Sequence, residues 1–565
     1  MLRPVGKLHR EQQRGACPVS GSGEGPTEAR VNIQSEERIV ARRNTPPAGR
    51  GGGPRVAARF SSRRRAACVW AGLSLALLAL SSAPARAEDG WEPLVDGIAF
   101  REFLLPGPNR AYVARMDRAR QDLIIDSGIA LGELGAGKET VSQMAPRYDQ
   151  AINAWGGTWG NRNQVVVAIN GSFYNTRTGV PESGVVHSGE YTKWYGSLGG
   201  GSGFAWTLDR QAFIGQCVYH RPEKQVLTYL AHRATQPING VDVEGEGNDL
   251  IVLTPSSGLP PSVGVGRINM LVEMERPLLI LPLPAMARGT IRELRADVIP
   301  PALPFDSIVV SASGTARTLL ERYARPGESI GVSLEITDLG PDCNTWQGLD
   351  WTKTYAGVGG SFDFLLDGDI QSFTNLGATN RHPRTAVCFN DDWIYFVVVD
   401  GRDPGRSIGM TIDELGRFCR DTLGATWGIN QDGGGSSTMW VQGRVRNVPS
   451  DGTERPVANG LMMIVVQRGE NSRRFHPSQT VVTNVDTSLR LGPGDNFDVA
   501  ALLPAGIVGQ IVAHTEQTDG VFARAAHWWK VGFSESAGWV NEDDLSPLEG
   551  ESVRFWPDIW PPVQP

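Results

Sequence analysis

Short apolar runs alternate with clusters of turn residues along most of this chain. Residues 111–115, 122–125, 165–169, 250–253, 307–311, 330–336, 394–399 and 461–466 are rich in Val, Ile, Leu and aromatic side chains and are bounded by Gly, Pro, Asn and Asp; such runs predict strands. Three stretches read instead as helices: 140–154, 315–323 and 411–423. In the last, Met410, Ile412, Leu415, Phe418, Cys419 and Leu423 recur near a 3.6-residue period behind Thr411, an N-cap candidate. These elements predict an α+β fold, a mixed α/β domain with a β-sheet core over residues 88–467. The polar break RGENSRRFHPS predicts a linker over 468–479, followed by a small all-β module over 480–548 and a tail over 549–565. No internal repeat occurs at the periods that mark solenoids or propellers.

The N-terminal pattern differs. Arg63, Arg64 and Arg65 precede an apolar run over 66–80 and then Ala85-Arg86-Ala87, the order of an export signal with its cleavage site. The run is short for a membrane span of about 20 residues, so residues 1–87 are expected to be a leader and signal peptide, leaving no stable membrane span. The mature protein is expected to be secreted, periplasmic or associated with the cell wall.

Composition sharpens this picture. The 565 residues are 40% hydrophobic and 20% charged, with 68 Gly and 37 Pro, which fits a globular protein of short strands and many turns. The first 87 residues carry 15 Lys and Arg against 5 Asp and Glu, leaving 39 against 56 on the other 478, a net −17. A surface so acidic is a poor partner for nucleic acid. Export also changes the meaning of the four remaining cysteines, Cys217, Cys343, Cys388 and Cys419. They allow one or two disulfides or buried free thiols, and none stands at metal-ligand spacing.

The densest chemistry lies in GINQDGGGSSTMWVQGR, residues 428–444. Consecutive glycines cost up to about 1 kcal/mol each relative to alanine, so Gly433, Gly434 and Gly435 mark either a tight turn between packed strands or a close approach to bare backbone. Asp432, Ser436 and Ser437 surround them with polar groups. The segment lacks the lysine of a phosphate-binding P-loop and the GxSxG frame of a nucleophilic serine. Arg384 opens one apolar strand; Asp400 and Arg402 close the next. Charged groups at the ends of buried strands suit a site or a surface ion pair. Asn170 and Tyr174 follow the 165–169 strand, and Asp451 and Arg455 lie in VPSDGTERPVANGL, residues 448–461. Aromatic rings beside amides and carboxylates serve either sugar binding or loop packing.

Taken in order, these segments resemble the phosphodiester glycosidase family. Its Asn-Gly-Gly-Phe-Phe, Arg-Thr-Ala, Asp-Gly-Arg, Asn-Leu-Asp-Gly-Gly-Gly-Ser-Ser-Thr and Arg-Pro-Val-Ala-Asn patterns reappear at 170–174, 384–386, 400–402, 430–438 and 455–459. The likeness extends over about 95–467; Ser172, Gln431 and Cys388 stand where Gly, Leu and Gly are usual. Residues 480–548 are similar to the bacterial SH3-like domain, through Leu489, Arg490, Gly492, Pro493, Gly494, Pro504, Gly506, Trp529, Lys530, Val531, Gly538, Trp539 and Val540. That second resemblance implies a module that targets cell-wall glycan.

The first resemblance implies hydrolysis of an N-acetylglucosamine-type sugar-1-phosphodiester to free sugar and a phosphomonoester. Asp432 and Asp400 would supply the carboxylates. Arg384, Arg402 and Arg455 would hold the phosphate in forked hydrogen bonds, with the N–H groups of Gly433, Gly434 and Gly435 adding donors. Ser436, Ser437 and Asp451 would complete the substrate contacts, and Asn170 and Tyr174 would face the sugar. The pattern calls for no cofactor or metal. Two rival classes share the same residues: a glycan-binding scaffold without catalysis, and a phosphodiesterase that cuts the P–O bond.

Overall fold

The computed structural model describes residues 90–149, 162–193, 203–215, 218–219, 225–245, 247–258, 265–275, 286–300, 302–334, 337–338, 353–467, 469–512, 520–534 and 536–548. The signal segment, the C-terminal tail, Cys217 and Cys343 lie outside them.

Within the described residues each of the eight apolar runs falls on a strand, among them Asn109–Asp117, Leu250–Leu253, Trp393–Val399 and Asn459–Gln467. The three helical stretches contain Val141–Tyr148, Gly314–Tyr323 and Ile412–Arg417, the last continuing as a π-turn over Phe418–Thr422. Thr411 caps it as expected: its hydroxyl accepts from the Glu414 N–H at 3.1 Å, and Glu414 accepts from the Thr411 N–H at 3.0 Å. The expected α+β class is nevertheless incorrect. Strand makes up 48% and helix 11%, so the molecule is a mostly-β protein and not a mixed α/β core. Many of its strands are only two to four residues long, too short for alternation to show in sequence.

Four sheets build the body. An eight-stranded sheet runs Glu92–Val95, Ile98–Leu105, Asn109–Asp117, Trp393–Val399, Arg384–Phe389, Trp427–Asn430, Ser361–Leu366, Asp369–Ile370. A five-stranded sheet centres on Arg162–Asn170 between Met439–Val441 and Asn459–Gln467; a second has Thr354–Gly359 at its middle. One apolar core, including Phe204, Tyr355, Phe396, Ile429 and Met462, joins all three. The fourth sheet, eight strands with Ala234–Pro237 and Gly240–Val241 at its two edges and helix Gly314–Tyr323 upon it, buries its own cluster. On the other face of the first sheet, Cys388 and Cys419 are buried free thiols in contact.

Eight C-terminal strands from Thr480–Thr483 to Leu545–Pro547 form a further sheet. It packs against the fourth sheet's segment: Phe305 meets Phe497 and Trp539 edge-on at 5.7 and 6.0 Å. Buried Lys530 bridges Glu273, at 2.6 Å, and Asp306.

Candidate functional site

Strand ends from two sheets converge on the glycine segment. Arg384 pairs with Val399, and Ala386 with Asn430; Arg384, Asp400 and Asp432 therefore leave one edge of the eight-stranded sheet together. The neighbouring five-stranded sheet ends at Asn170, opposite Gly460. Asn170 ties the two sheets. Its side-chain oxygen accepts from the Thr385 hydroxyl at 2.8 Å and the Thr438 N–H at 3.1 Å, while its amide donates to the Asp432 carbonyl at 2.7 Å.

Past Asn430 the chain turns sharply. Gly434 has φ +66°, a conformation that costs other residues about 1–2 kcal/mol. The glycines also keep this backbone bare for side chains. A Cβ on Gly434 would stand 2.9 Å from Arg402 Nη2; one on Gly435 would stand 2.1 Å from both Arg455 Nη2 and Asp451 Oδ2. Asp451 joins the two guanidiniums, 2.6 Å from Arg455 Nη2 and 3.9 Å from Arg402 Nη1. Both arginines remain partly exposed, with side-chain accessibilities of 39% and 48%, so each has donors left for an anion.

Asp432 faces this pair. Burial raises its carboxyl to about 6, against the lowering effect of the neighbouring Ser436 hydroxyl, the Arg455 charge and the Gly433 N–H. Tyr174 belongs to the same cluster: its hydroxyl donates to the Pro456 carbonyl at 2.9 Å, and burial and the Asp432 charge both raise it. The Ser437 and Thr438 hydroxyls and the whole Gln431 side-chain amide are buried and make no hydrogen bond among the described residues. A polar site with unsatisfied donors and acceptors is prepared for solvent or a ligand.

Two expected site residues are held differently. Asp400 is 3% exposed and accepts from Tyr112 at 3.2 Å, the Asn447 amide at 3.3 Å and the Val448 N–H at 3.0 Å, with Arg406 at 3.5 Å. Asn447 also donates to the Ser437 carbonyl at 2.9 Å, so Asp400 braces the glycine segment through Asn447. Arg384 donates to the carbonyls of Met410, Gly377 and Asn380, each at 2.8 Å. Its burial lowers the guanidinium to about 10.

The structure adds two residues. Glu182 donates its N–H to the Phe173 carbonyl at 2.9 Å, beside the bridge of Tyr174 to Pro181; its charge raises the Asp432 carboxyl. Lys193 lies opposite Val185 in the adjoining hairpin. It is 8% exposed, and burial lowers its amine to about 8 while Glu182 opposes that shift. Glu182 follows Tyr174 by one short hairpin; Lys193 belongs to no motif, so only the pairing of its strand could have located it. No group of three or more His, Cys, Asp or Glu side chains suited to a metal occurs among the described residues.

Several solved structures are similar to this chain. A hypothetical protein from Synechocystis shares 15% identity over 66% of this chain and 62% of its own, with a TM-score of 0.47; this chain thus spans less than two thirds of that relative's length. A candidate exported protein from Burkholderia pseudomallei K96243 shares 19% identity over 63% and 74%, with a TM-score of 0.45. The zebrafish N-acetylglucosamine-1-phosphodiester alpha-N-acetylglucosaminidase catalytic domain, auto-inhibited by its pro-peptide, shares 13% over 66% and 82%, with a TM-score of 0.30. No curated protein matches the chain. Residues 315–464, which hold Arg384, Asp400, Arg402, Asp432, Asp451 and Arg455, match the sequence model of the phosphodiester glycosidase family.

Proposed function

We propose that this chain is an exported hydrolase that splits the bond between an anomeric carbon and a phosphate oxygen. It would release a free sugar of the N-acetylglucosamine type and a phosphomonoester. The observation that carries this reading is the facing of Asp432, its carboxyl raised to about 6, and the Arg402–Asp451–Arg455 group across three side-chain-free residues. The match of residues 315–464 to the family supports the reaction class. The run at 66–87 supports export, and no described helix is long and apolar enough to cross a membrane. The likeness of 480–548 to SH3-like modules supports a role for those residues on envelope glycan.

A phosphomonoester is stable as an anion, so its departure needs charge balance more than protonation. Arg402 and Arg455, with the backbone N–H groups beside them, supply that balance as negative charge develops on the leaving oxygen. Water supplies the oxygen that ends on the sugar carbon; the C–O electron pair leaves with the phosphate, and one proton is released. Asp432 acts ionised, either taking the water's proton or attacking the carbon first. The anomer formed separates the two, since one displacement inverts and two retain. Asp400, Asn447, Asn170 and Arg384 hold the segment that carries Asp432.

The test is hydrolysis of an N-acetylglucosamine-α-1-phosphodiester by the purified protein in ¹⁸O-labelled water. Label in the sugar, lost with Asp432→Asn, is the expected outcome. Label in the phosphate would establish P–O cleavage instead; no turnover of this or related glycosyl phosphodiesters would overturn the hydrolase reading.

A further inference from the structure

A cavity of about 320 Å³ opens where the Glu190–Lys193 hairpin, the 253–258 loop, residues 299–305 and the C-terminal sheet meet. None of the residues that surround Asp432 lines it. Glu190 is 3% exposed. Its Oε2 accepts from Ser256 at 3.1 Å, whereas Oε1 has no hydrogen-bond partner among the described residues. The Ser257 hydroxyl, 7% exposed, stands beside buried Asp242 on the same floor. A buried carboxyl oxygen left without a hydrogen-bond partner costs about 1–3 kcal/mol, so this position favours a ligand group that bonds to it.

The remaining lining narrows what that donor belongs to. Glu133 and Asp498 approach across the opening, and burial together with Asp498's charge raises Glu133. The two lining arginines are already matched: Arg147 lies 2.9 Å from Glu139, and Arg524 lies 3.5 Å from Asp495. The third basic lining residue, His187, faces Asp126 and Glu190, so each lining cation already has a carboxylate and none is left over for an anion. Metal-ligand clusters are absent among the described residues. Phe305 and Phe497, in edge contact, and Leu303 give one apolar wall opposite the polar floor. Hydroxyl donors on one side and C–H groups on the other are the two faces of a neutral sugar ring, and the volume suits a small ligand.

We propose that this cavity is a second saccharide site, separate from the one around Asp432, which takes a neutral sugar ring with its hydroxyls on Glu190 and Ser257 and its apolar side against Phe497. The site stands on these contacts whether or not the chain hydrolyses a phosphodiester. In a longer glycan it would hold a ring remote from any reacting bond, at the junction of the body and the C-terminal module.

Calorimetric titration of the full chain carrying Asp432→Asn tests this without turnover. The probes are N-acetylglucosamine, its β-1,4-linked trimer and, as the anionic comparison, glucose 1-phosphate. Binding of the neutral sugars is expected to weaken about tenfold with Glu190→Leu, which keeps the bulk and removes the hydrogen-bonding group, and also with Phe497→Ala. Asp498→Asn, at the exposed rim, leaves the fold untouched and tests the preference for neutral ligands: glucose 1-phosphate should gain access there. Neutral sugars that fail to bind at millimolar concentration, or that bind equally to all variants, would overturn the proposal.

Discussion

Asp432 should govern how activity varies with pH. Its carboxyl is raised to about 6 by burial, and Arg455 is among the groups that limit the rise. The ionised form acts as base or nucleophile, so kcat/KM should climb about tenfold per pH unit below 6 and level off above it. Replacing Arg455 by Gln removes a positive charge and should move the acid limb to higher pH, in addition to weakening phosphate binding. A profile flat from about pH 4 to 8, or a limb that stays put in the variant, would detach Asp432 from the rate. Gly435 invites a second experiment. An alanine Cβ there would strike the ends of Arg455 and Asp451 at 2.1 Å, and both are flexible side chains that can swing aside. Gly435→Ala should therefore cost less than about 1 kcal/mol of stability while lowering kcat/KM about a hundredfold through misplaced guanidiniums. Equal losses of stability and activity would show the glycine to be a turn former only.

How the segments are held explains which site residues sequence could show. The glycine run, its acidic and hydroxyl neighbours and the arginines stand close together in motifs, and the structure brings Asp432, Ser436, Tyr174, Arg402, Asp451 and Arg455 into one cluster. The strand ends carrying Arg384 and Asp400 were equally plain, but their partners were not. The Gly377 and Asn380 carbonyls come from the short helical turn just before Arg384, whereas Met410, Tyr112 and Asn447 approach from more distant stretches of chain. Lys530 follows the same logic. In sequence it belongs to the Trp-x-Lys-Val pattern of a strand; in space it lies between Glu273 of another sheet and Asp306 in the turn beside it. Lys530→Met would leave two carboxylates buried side by side and should cost about 3–5 kcal/mol. Urea unfolding followed by the emission of Trp528, Trp529 and Trp539 would measure it, and Asp306→Asn in the same chain should recover part of the loss. An unchanged midpoint would mean that the C-terminal sheet is not held by this contact.

Across the whole molecule, the apolar runs located strands correctly yet gave the wrong class, because the sheets are completed by strands of two to four residues that leave no periodic trace. The same dense β packing buries carboxyls that sequence marks only as acidic. Asp242 and Glu190 are buried; desolvation raises both, and Glu190's charge raises Asp242 further. A raised carboxyl binds its proton more tightly in the fold than in the unfolded chain. Its contribution to stability is therefore full below the ordinary values of 3.8 and 4.5 and is lost as pH climbs through the folded value. Glu273, lowered beside Lys530, works in the opposite direction and loses its contribution as pH falls. Asp432, raised to about 6, and Glu133 work in the same direction as Asp242 and Glu190, so with a net −17 on the chain beyond residue 87 stability at about pH 7 should lie below that at about pH 5. Asp242→Asn removes one titration, and its urea midpoints at the two pH values should lie closer together than those of the unaltered chain. The comparison rests on slopes, so a uniform loss of stability in the variant does not disturb it; equal slopes would show that Asp242 is ionised in the fold and paid for by its bonds from Thr254.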